Sequence, residues 1–437
     1  MRIWIDISLY RRTSGTAFGI ARVEEQLIKL LPKKHFEVCY FWMETDTTVN
    51  FSNKIFKSSE GANSSKSRVH FSRYALLDRL KSEMILTRVS VIITNLISFF
   101  PKNIAEKLWA YGRKIHFQYI DNHLYQSSKS TKGSSRAYLI DKNPKPEPQD
   151  LFLIASNDWE RRSYKHLENQ LKFKPRLSFI IYDLIPYTNP EFAVNLKTAS
   201  LFTYWIGDIA QKSEFLFFIS EFTESCFEKM LVERKILSTA SKSIIRLPSG
   251  IPVEGVEEEP DFSAKLEDQF VLVVCTLEVR KNHKVLLRAA SEALRLGEFF
   301  PQLVFVGAKG WGYEEIRRDI EENEQLKLRV MHEASVSDSQ LRWLYRNCTL
   351  VAYPSFIEGL GLPIIEAKQF GKRVLASSAE AFREILGEVD ITISPNDAME
   401  WKIQIQQKCI EKTSHKVIDR TSNSWDQVID DIVDSLN

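Results

Sequence analysis

Short apolar runs alternate with amphipathic stretches over residues 1–42 and from residue 151 onward. Each run is closed by a glycine, a proline or a polar residue, which is typical of strands buried on both faces of a parallel sheet. The intervening stretches have apolar residues at helical spacing. We predict buried strands at 3–7, 36–42, 151–155, 177–181, 215–219, 270–275, 303–306, 350–353 and 373–376. Because these strands alternate with helices, an α/β fold is expected.

Polar stretches separate the α/β regions and suggest the domain organisation. Residues 44–70 are rich in Ser, Asn, Thr and Lys and predict a loop, and residues 126–149 resemble a linker. An acidic, proline-containing run at 254–261 is suited to a hinge. At 437 residues the chain is too long for one ordinary domain. We predict an N-terminal domain over 1–252 with an inserted segment at about 44–149, a second domain over 253–412, and a terminal helix within 413–437.

Composition narrows the class of protein. Hydrophobic residues make up 44% of the chain and charged residues 27%, which is typical of a globular protein. The net charge of +2 gives no reason to expect a nucleic acid partner. Five cysteines without a C-x-x-C pair suit a reducing compartment and argue against a disulfide or zinc framework. The N-terminus enters a strand pattern without a secretory signal. We therefore expect a cytoplasmic protein.

The segment 84–116 has two interpretations. Residues 84–100 are strongly apolar but contain Arg88, Thr94 and Asn95, so they are too short and too interrupted for a membrane span. Basic residues interleaved with aromatics follow, a pattern that can lie on an anionic membrane surface. The segment is therefore either a peripheral contact with the inner face of the cell membrane or a packed helix pair.

The most informative stretch is 355–367. An apolar run closed by Pro354 leads into a loop with Gly359 and Gly361, and a helical pattern begins at Pro363. Such a junction presents backbone N–H groups and the positive end of a helix dipole to an anion. Carboxylates at Glu358 and Glu366 could accept hydrogen bonds from hydroxyls, so the stretch suits a sugar nucleotide. Turn geometry alone is the alternative explanation of the glycines.

Two further junctions have similar chemistry. Arg280 and Lys281 lie between the strand 270–275 and a helix. The planar guanidinium of the arginine and the compact ammonium of the lysine could together hold a diphosphate there. Gly15 and Gly19 lie in a loop that enters the helix after the first strand, with Arg22 nearby. Solvated basic loops are the alternative in both places.

The two glutamates, separated by seven residues with Gly-Leu-Gly-Leu-Pro inside, resemble the E-x7-E signature of retaining glycosyltransferases of family 4. The resemblance covers 151–436 and 1–31 but not 44–149. It implies the GT-B fold, with two Rossmann-like domains facing across a cleft and a C-terminal helix crossing back to the first domain.

The resemblance also implies roles for individual residues. Arg280 and Lys281 would bind the diphosphate, and Glu358 would bind sugar hydroxyls or support the sugar's developing positive charge. Glu366 would bind the ribose hydroxyls. Together with Glu366, the donor-binding candidates are Gly359, Leu360, Gly361, Ser220, Gly307, Gly15 and Gly19. For Ser220, capping of the helix that follows the strand 215–219 is the alternative role.

One position departs from the family pattern. Many members have His-Asp after the strand that corresponds to 177–181, whereas this chain has Tyr182-Asp183. Of this pair, only Asp183 is a catalytic candidate, together with Arg280, Lys281 and Glu358, and capping of the following turn is its alternative role. The Asp-Leu-Ile-Pro sequence resembles a subgroup that contains mannosyltransferases of bacterial surface polysaccharides.

We expect transfer of a hexose, with retained anomeric configuration, onto a growing lipid-linked surface glycan such as O-antigen or capsule. GDP-mannose is the favoured donor, with no other cofactor. No Asp-x-Asp motif stands at a strand end, so no divalent metal is expected. The alternatives are a UDP-sugar-dependent glycosyltransferase, a non-catalytic nucleotide-sugar-binding protein, and a sugar-nucleotide epimerase of related shape.

Overall fold

The computed structural model describes residues 2–9, 19–34, 36–45, 48–53, 144–156, 159, 163–387, 390–411 and 424–436. Gly15, the segment 84–116 and most of the predicted insertion at 44–149 lie outside these residues. The prediction of a membrane contact through 84–116 therefore stays a prediction. The structure holds two mainly parallel sheets, as the alternating pattern predicts.

The first sheet contains seven strands in the order β3-β2-β1-β4-β5-β6-β7. Among the strands that the structure describes in this sheet, β2 and β3 pair antiparallel, and every other pair is parallel. The strands are β1 Arg2–Asp6, β2 Glu37–Thr45, β3 Thr48–Ser52, β4 Leu151–Ile154, β5 Arg176–Ile181, β6 Ser213–Phe218 and β7 Ser241–Ile244.

Strand β3 corrects the prediction of a loop over 44–70. Within its polar surroundings, Val49 and Phe51 alternate with polar residues, which is the period of a half-buried strand. Both side chains are buried, and the Phe51 ring meets the edge of Trp4 at 5.3 Å between centroids. The overall polarity of the segment concealed this short alternation.

The second sheet contains six parallel strands in the order β10-β9-β8-β11-β12-β13. They are β8 Phe270–Val274, β9 Gln302–Val306, β10 Val330–Glu333, β11 Leu350–Tyr353, β12 Val374–Ser377 and β13 Ile391–Ile393. The chain winds outward in opposite directions from the neighbouring pair β8 and β11. In an open α/β sheet, ligands bind beyond the carboxyl ends of the strands at such a switch point.

Helices connect the strands and cover both sheets. They are α1 Ile20–Leu30, α2 Ser163–Gln170, α3 Ile185–Thr188, α4 Leu196–Lys212, α5 Glu221–Arg234, α6 His283–Arg295, α7 Tyr313–Glu321, α8 Glu324–Arg329, α9 Asp338–Asn347, α10 Leu362–Gln369, α11 Ala398–Ile410 and α12 Trp425–Leu436. Short 3-10 turns occupy Leu31–Lys33, Pro190–Phe192, Ser263–Lys265, Val279–Lys281 and Glu380–Glu384. Among these helices, none has the length and apolar content needed to cross a bilayer.

Apolar clusters lie on both faces of each sheet, as expected for strands that are apolar on both sides. On one face of the first sheet, α12 packs Val428, Ile429 and Ile432 against Val23 and Leu27 of α1. The C-terminal helix thus returns to the first sheet, as predicted. All five cysteines are free thiols. The proposed domain limits at 252 and 412 stay predictions.

Candidate active site

The loops that follow β8 and β11 meet at the switch point of the second sheet. The first turns through Val279–Lys281 into α6, and the second carries Glu358 and two glycines into α10. The Phe356 amide donates to the Arg280 carbonyl at 2.9 Å, which joins the two loops directly. The candidate residues of both loops are therefore neighbours in space.

Glu358 accepts hydrogen bonds from both basic residues of the β8 loop. Arg280 Nη1 lies 2.6 Å from Glu358 Oε2, and Lys281 Nζ lies 2.5 Å from Glu358 Oε1. Arg280 Nη1 also donates to the Ile357 carbonyl at 3.0 Å. The two cations predicted to hold a diphosphate are thus already organised around an internal carboxylate.

Asn282 holds the β8 loop against its neighbours. It adopts a left-handed backbone with φ of 55°, which asparagine tolerates better than most residues. Its side-chain amide donates to the carbonyls of Pro354 at 3.1 Å and Pro395 at 2.7 Å. The β8 loop is thereby tied to the loops that follow β11 and β13. Asn282 thus fixes the backbone next to Arg280 and Lys281, and helix α6 begins at the following residue, His283.

The ion cluster determines the charge state of Glu358. Burial would raise the pKa of this carboxyl, but the charges of Arg280 and Lys281 and the Lys281 hydrogen bond outweigh it and lower the pKa to about 2. Glu358 is therefore ionised at neutral pH. It can compensate positive charge nearby but cannot serve there as a proton donor.

The same pKa predicts an acid-dependent stability. An ordinary glutamate has a pKa of about 4.3 in an unfolded chain, and the folded value is about 2. The stabilisation is therefore complete above about pH 5 and is lost as the pH falls toward 2. We expect the difference in unfolding free energy between the wild type and Glu358→Gln to shrink over this window by on the order of 2 kcal/mol. Urea unfolding at a series of pH values measures it, and a difference that is constant with pH would contradict the ion cluster.

Two partners of the basic residues were missed by sequence reasoning. Tyr353, at the end of β11, accepts from Lys281 Nζ at 3.0 Å and places its ring 5.2 Å from the same nitrogen. Glu278 accepts from Arg280 Nη2 at 2.8 Å. The available signal for Tyr353 was its place at the carboxyl end of a strand beside the switch point.

Asp183 comes from the first sheet but lies in the same electrostatic neighbourhood. Burial raises the pKa of its carboxyl, while Arg280 lowers it, and the charges of Glu358 and Lys281 act on it as well. Its Oδ1 accepts the Ile185 amide at 3.0 Å, which is the turn-capping role given as the alternative. The four predicted catalytic residues thus converge, and Asp183 also has a structural partner.

The neighbouring Tyr182 has its hydroxyl committed elsewhere. It donates to the Ala155 carbonyl at 2.7 Å, beyond the end of β4. Burial raises the pKa of this phenol well above its ordinary value, with the charge of Glu24 adding to the effect. The Tyr182 hydroxyl is therefore neutral at physiological pH and is engaged in a hydrogen bond to the backbone of the first sheet.

The glycine loop touches the first sheet closely. A Cβ on Gly359 would overlap the Tyr182 carbonyl oxygen and stand 3.1 Å from Asp183 Cβ, so only glycine allows this approach. The Gly359 carbonyl accepts the hydroxyls of Ser220 at 2.5 Å and Thr223 at 3.2 Å. Ser220 caps α5 through the Thr223 amide, as the sequence suggests, and its hydroxyl also joins the two sheets.

The remaining glycines and Leu360 have identifiable positions. Gly361 has φ of 107° and immediately precedes α10, and Gly307 has φ of 152° against the Cys275 carbonyl at the same edge of the sheet. Gly19, with φ of 56°, precedes α1. Leu360 is buried in the apolar cluster of the first sheet, so its side chain serves packing. The predicted donor contacts of these residues stay predictions.

Glu366 belongs to a second, separate cluster. Its Oε2 accepts the Tyr345 hydroxyl of α9 at 2.7 Å. Burial raises the pKa of Glu366 to about 7, and the Tyr345 hydroxyl, the charge of Arg22 and the Gly250 amide only partly offset this, while Asp338 adds to it. A carboxylate with this pKa changes its charge across the physiological range.

Among the described residues, no three acidic, His or Cys side chains converge as metal ligands.

The family comparison falls on the second sheet and its loops. Residues 256–422 match the family model described as Glycosyl transferases group 1. This region contains Arg280, Lys281, Glu358 and Glu366.

Two curated proteins resemble part of the chain. The serotype-specific mannosyltransferase WbdA of Escherichia coli is 26% identical over 220 residues, which make up 48% of this chain and 27% of that protein. The O-antigen chain mannosyltransferase B of Escherichia coli is 30% identical over 128 residues, or 29% of this chain and 33% of that protein. The chain thus matches about a quarter to a third of the length of these relatives.

A solved structure compares over nearly the whole chain. Sucrose-phosphate synthase from Thermosynechococcus elongatus superposes with a TM-score of 0.60 at 16% identity, covering 99% of this chain and 98% of that chain. The chain has the GT-B fold. In this GT-B arrangement, the two Rossmann-like sheets and the returning α12 confirm the predicted fold class. The contacts of Gly359 with Tyr182 and Ser220 show where the carboxyl ends of the two sheets approach each other.

Proposed function

We propose that the protein is a retaining, metal-independent glycosyltransferase that moves a hexose from a nucleoside diphosphate sugar to a glycan acceptor. The observation that carries this proposal is the convergence of Arg280, Lys281, Glu358 and Asp183 beyond the strand ends of a GT-B fold. The match of residues 256–422 to a glycosyltransferase family supports the same reaction class.

The cations would stabilise the leaving group. Bond cleavage at the anomeric carbon leaves negative charge on the diphosphate, and Arg280 and Lys281 are fixed donors that can meet it. Glu358 now accepts from both, so a bound diphosphate would take over at least part of their hydrogen bonding. The carboxylate would then be available to sugar hydroxyls, or to the positive charge that develops on the sugar ring. This role needs an ionised acid, which agrees with its low pKa.

The donor sugar is proposed to be mannose, carried by GDP. This rests on the Asp-Leu-Ile-Pro resemblance and on the mannosyltransferase names of the partial relatives. The acceptor is proposed to be a lipid-linked surface glycan such as O-antigen. The enzyme would act in the cytoplasm, at the inner face of the membrane.

A donor panel tests the proposal. The full chain is incubated with GDP-mannose, UDP-glucose and ADP-glucose and with candidate glycan acceptors, and release of nucleoside diphosphate is measured with and without excess EDTA. We expect release from GDP-mannose that depends on the acceptor and survives EDTA. The anomeric configuration of the product, read by NMR, tests retention. Loss of activity in EDTA would contradict metal independence, and preference for a uridine donor would reassign the nucleotide.

A non-catalytic nucleotide-sugar-binding protein is the second candidate. The observation that favours it is Tyr182, whose hydroxyl is fixed on the Ala155 carbonyl where many relatives of the resembled family have histidine. Saturable binding of GDP-mannose in calorimetry, without release of GDP under any acceptor condition, would support the binder and exclude the enzyme.

A further inference from the structure

The Arg22 side chain extends from α1, which packs on the first sheet, to α9, which packs on the second sheet, and its guanidinium lies close to Glu366. It lies on α1, is buried, and donates through Nη2 to Asp338 Oδ1 at 2.6 Å and through Nη1 to the Gly250 carbonyl. Asp338 is the first residue of α9, and Gly250 lies in the segment that leads from the first sheet to the second. One guanidinium therefore connects three parts of the chain.

Gly250 shows how close Arg22 comes to Glu366. A Cβ built on Gly250 would meet Arg22 Cδ at 3.0 Å, Glu366 Oε1 at 3.1 Å and Arg22 Nη1 at 3.2 Å. The guanidinium and the carboxylate thus border the same small space over the Gly250 backbone. The positive charge acts on Glu366 across it.

Helix α9 adds a second connection. Its first residue, Asp338, is held by Arg22, and in its last turn Tyr345 donates to Glu366 Oε2 at 2.7 Å. Tyr345 is completely buried, so its hydroxyl cannot donate to water in place of Glu366. Arg22 thus influences Glu366 in three ways. Its positive charge acts on the carboxylate, it binds the Gly250 carbonyl beside that carboxylate, and it holds the first residue of the helix that carries Tyr345.

We propose that Arg22 is a positioning residue for Glu366, which it orients and whose ionised form it favours, so that the carboxylate can receive the ribose hydroxyls of the nucleotide. This inference rests on the proposed function, because it takes Glu366 as the ribose acceptor. It makes recognition of the ribose depend on contact between the two sheets. The first sheet then contributes to nucleotide affinity although the family match lies entirely in the second part of the chain.

Ribose-deficient ligands provide the test. Binding of GDP and 2′,3′-dideoxy-GDP to the full chain is measured by titration calorimetry from pH 5.5 to 9, with the uridine pair in parallel. The wild type should prefer GDP, and the preference should grow as Glu366 ionises. Arg22→Ala should weaken GDP binding roughly tenfold at pH 7, the size of one lost charge-assisted hydrogen bond, and leave dideoxy-GDP nearly unchanged. The pH midpoint of the preference should also move upward, because the lost positive charge lets the pKa of Glu366 rise.

Two further variants separate charge from position. Arg22→Lys keeps the charge but loses the fork, so it should retain the pH midpoint while losing part of the GDP preference. Gly250→Ala places a methyl group between Arg22 and Glu366 and should reduce the same preference. Thermal unfolding of each variant confirms that it is folded.

Glu384→Gln is the matched control. Glu384, in the 3-10 turn after β12, accepts the amides of Glu221 at 2.9 Å and Phe222 at 2.7 Å, and so joins the two sheets without touching Glu366. Its ratio of GDP to dideoxy-GDP affinity should equal that of the wild type. A wild-type ratio in Arg22→Ala would overturn the inference and leave the proposed function standing. A wild type without preference for GDP would overturn both the ribose role of Glu366 and the inference built on it.

Discussion

Replacing Lys281 with alanine is expected to lower the rate of sugar transfer by about 10²–10³-fold, the effect typical of removing one preorganised donor from a developing oxyanion. Lys281 Nζ is buried between Glu358 Oε1 at 2.5 Å and the Tyr353 hydroxyl at 3.0 Å, so its positive charge is held at a fixed place. The loss should appear mainly in kcat, measured as nucleoside diphosphate release. Stability should fall by about 2 kcal/mol, because Arg280 still pairs with Glu358.

Lys284→Ala is the matched control for this variant. Lys284 lies three positions along the chain, and its ammonium pairs with Glu315 at 2.9 Å and Asp319 at 3.4 Å on α7. This variant also removes one lysine charge, but at a position that does not contact Glu358, so a wild-type rate is expected. The double variant Lys281→Ala with Glu358→Gln removes the under-compensated charge and should recover stability without recovering the rate. A wild-type rate in Lys281→Ala itself would exclude Lys281 from the diphosphate site.

Replacing Gly359 with alanine is expected to remove most activity and to lower the free energy of unfolding by about 1–3 kcal/mol, as overpacking commonly does. The added methyl would overlap the Tyr182 carbonyl oxygen, which is backbone and cannot rotate away. The loop would have to retreat from the first sheet, and the Ser220 hydroxyl would lose its acceptor on Gly359. Because Glu358 is the preceding residue, this retreat would also disturb its pairing with Arg280 and Lys281.

Gly387→Ala provides the comparison for Gly359→Ala. At this exposed glycine the nearest atoms to an added Cβ are Lys368 Nζ at 3.6 Å and Asp390 Oδ2 at 3.7 Å, which are ordinary contacts. Its stability should change by less than about 0.5 kcal/mol and its activity not at all. Melting temperatures and transfer rates of the two variants are compared directly. An unchanged melting temperature in Gly359→Ala would show that the close backbone approach does not exist in solution.

The sequence predicts the features that local pattern controls. Buried strands show as apolar runs, so β8, β9 and β11 were located within a residue or two, and Ser220 was recognised as a cap by residue type. The terminal helix expected within 413–437 occupies Trp425–Leu436 and has apolar residues at helical spacing. Strand β3 was hidden because it is short and lies in a polar segment.

Long-range pairing lay outside what the sequence could predict. Arg280 and Glu358 were singled out separately, but nothing local indicates that they bind each other across 78 positions. The same holds for Arg22, which was noted for its charge alone and reaches Asp338 across 316 positions. Such contacts follow from strand order, which brings the β8 and β11 loops together and which no single segment encodes.

The internal pairing of Glu358 leaves the site without surplus positive charge. Two cations, Arg280 and Lys281, face three acidic side chains, those of Glu278, Glu358 and Asp183. Chloride and inorganic phosphate, which are abundant in cells, would find no net attraction there. A ligand with two linked phosphoryl groups could engage both cations at once, so discrimination against small anions would arise from shape and spacing rather than from bulk attraction.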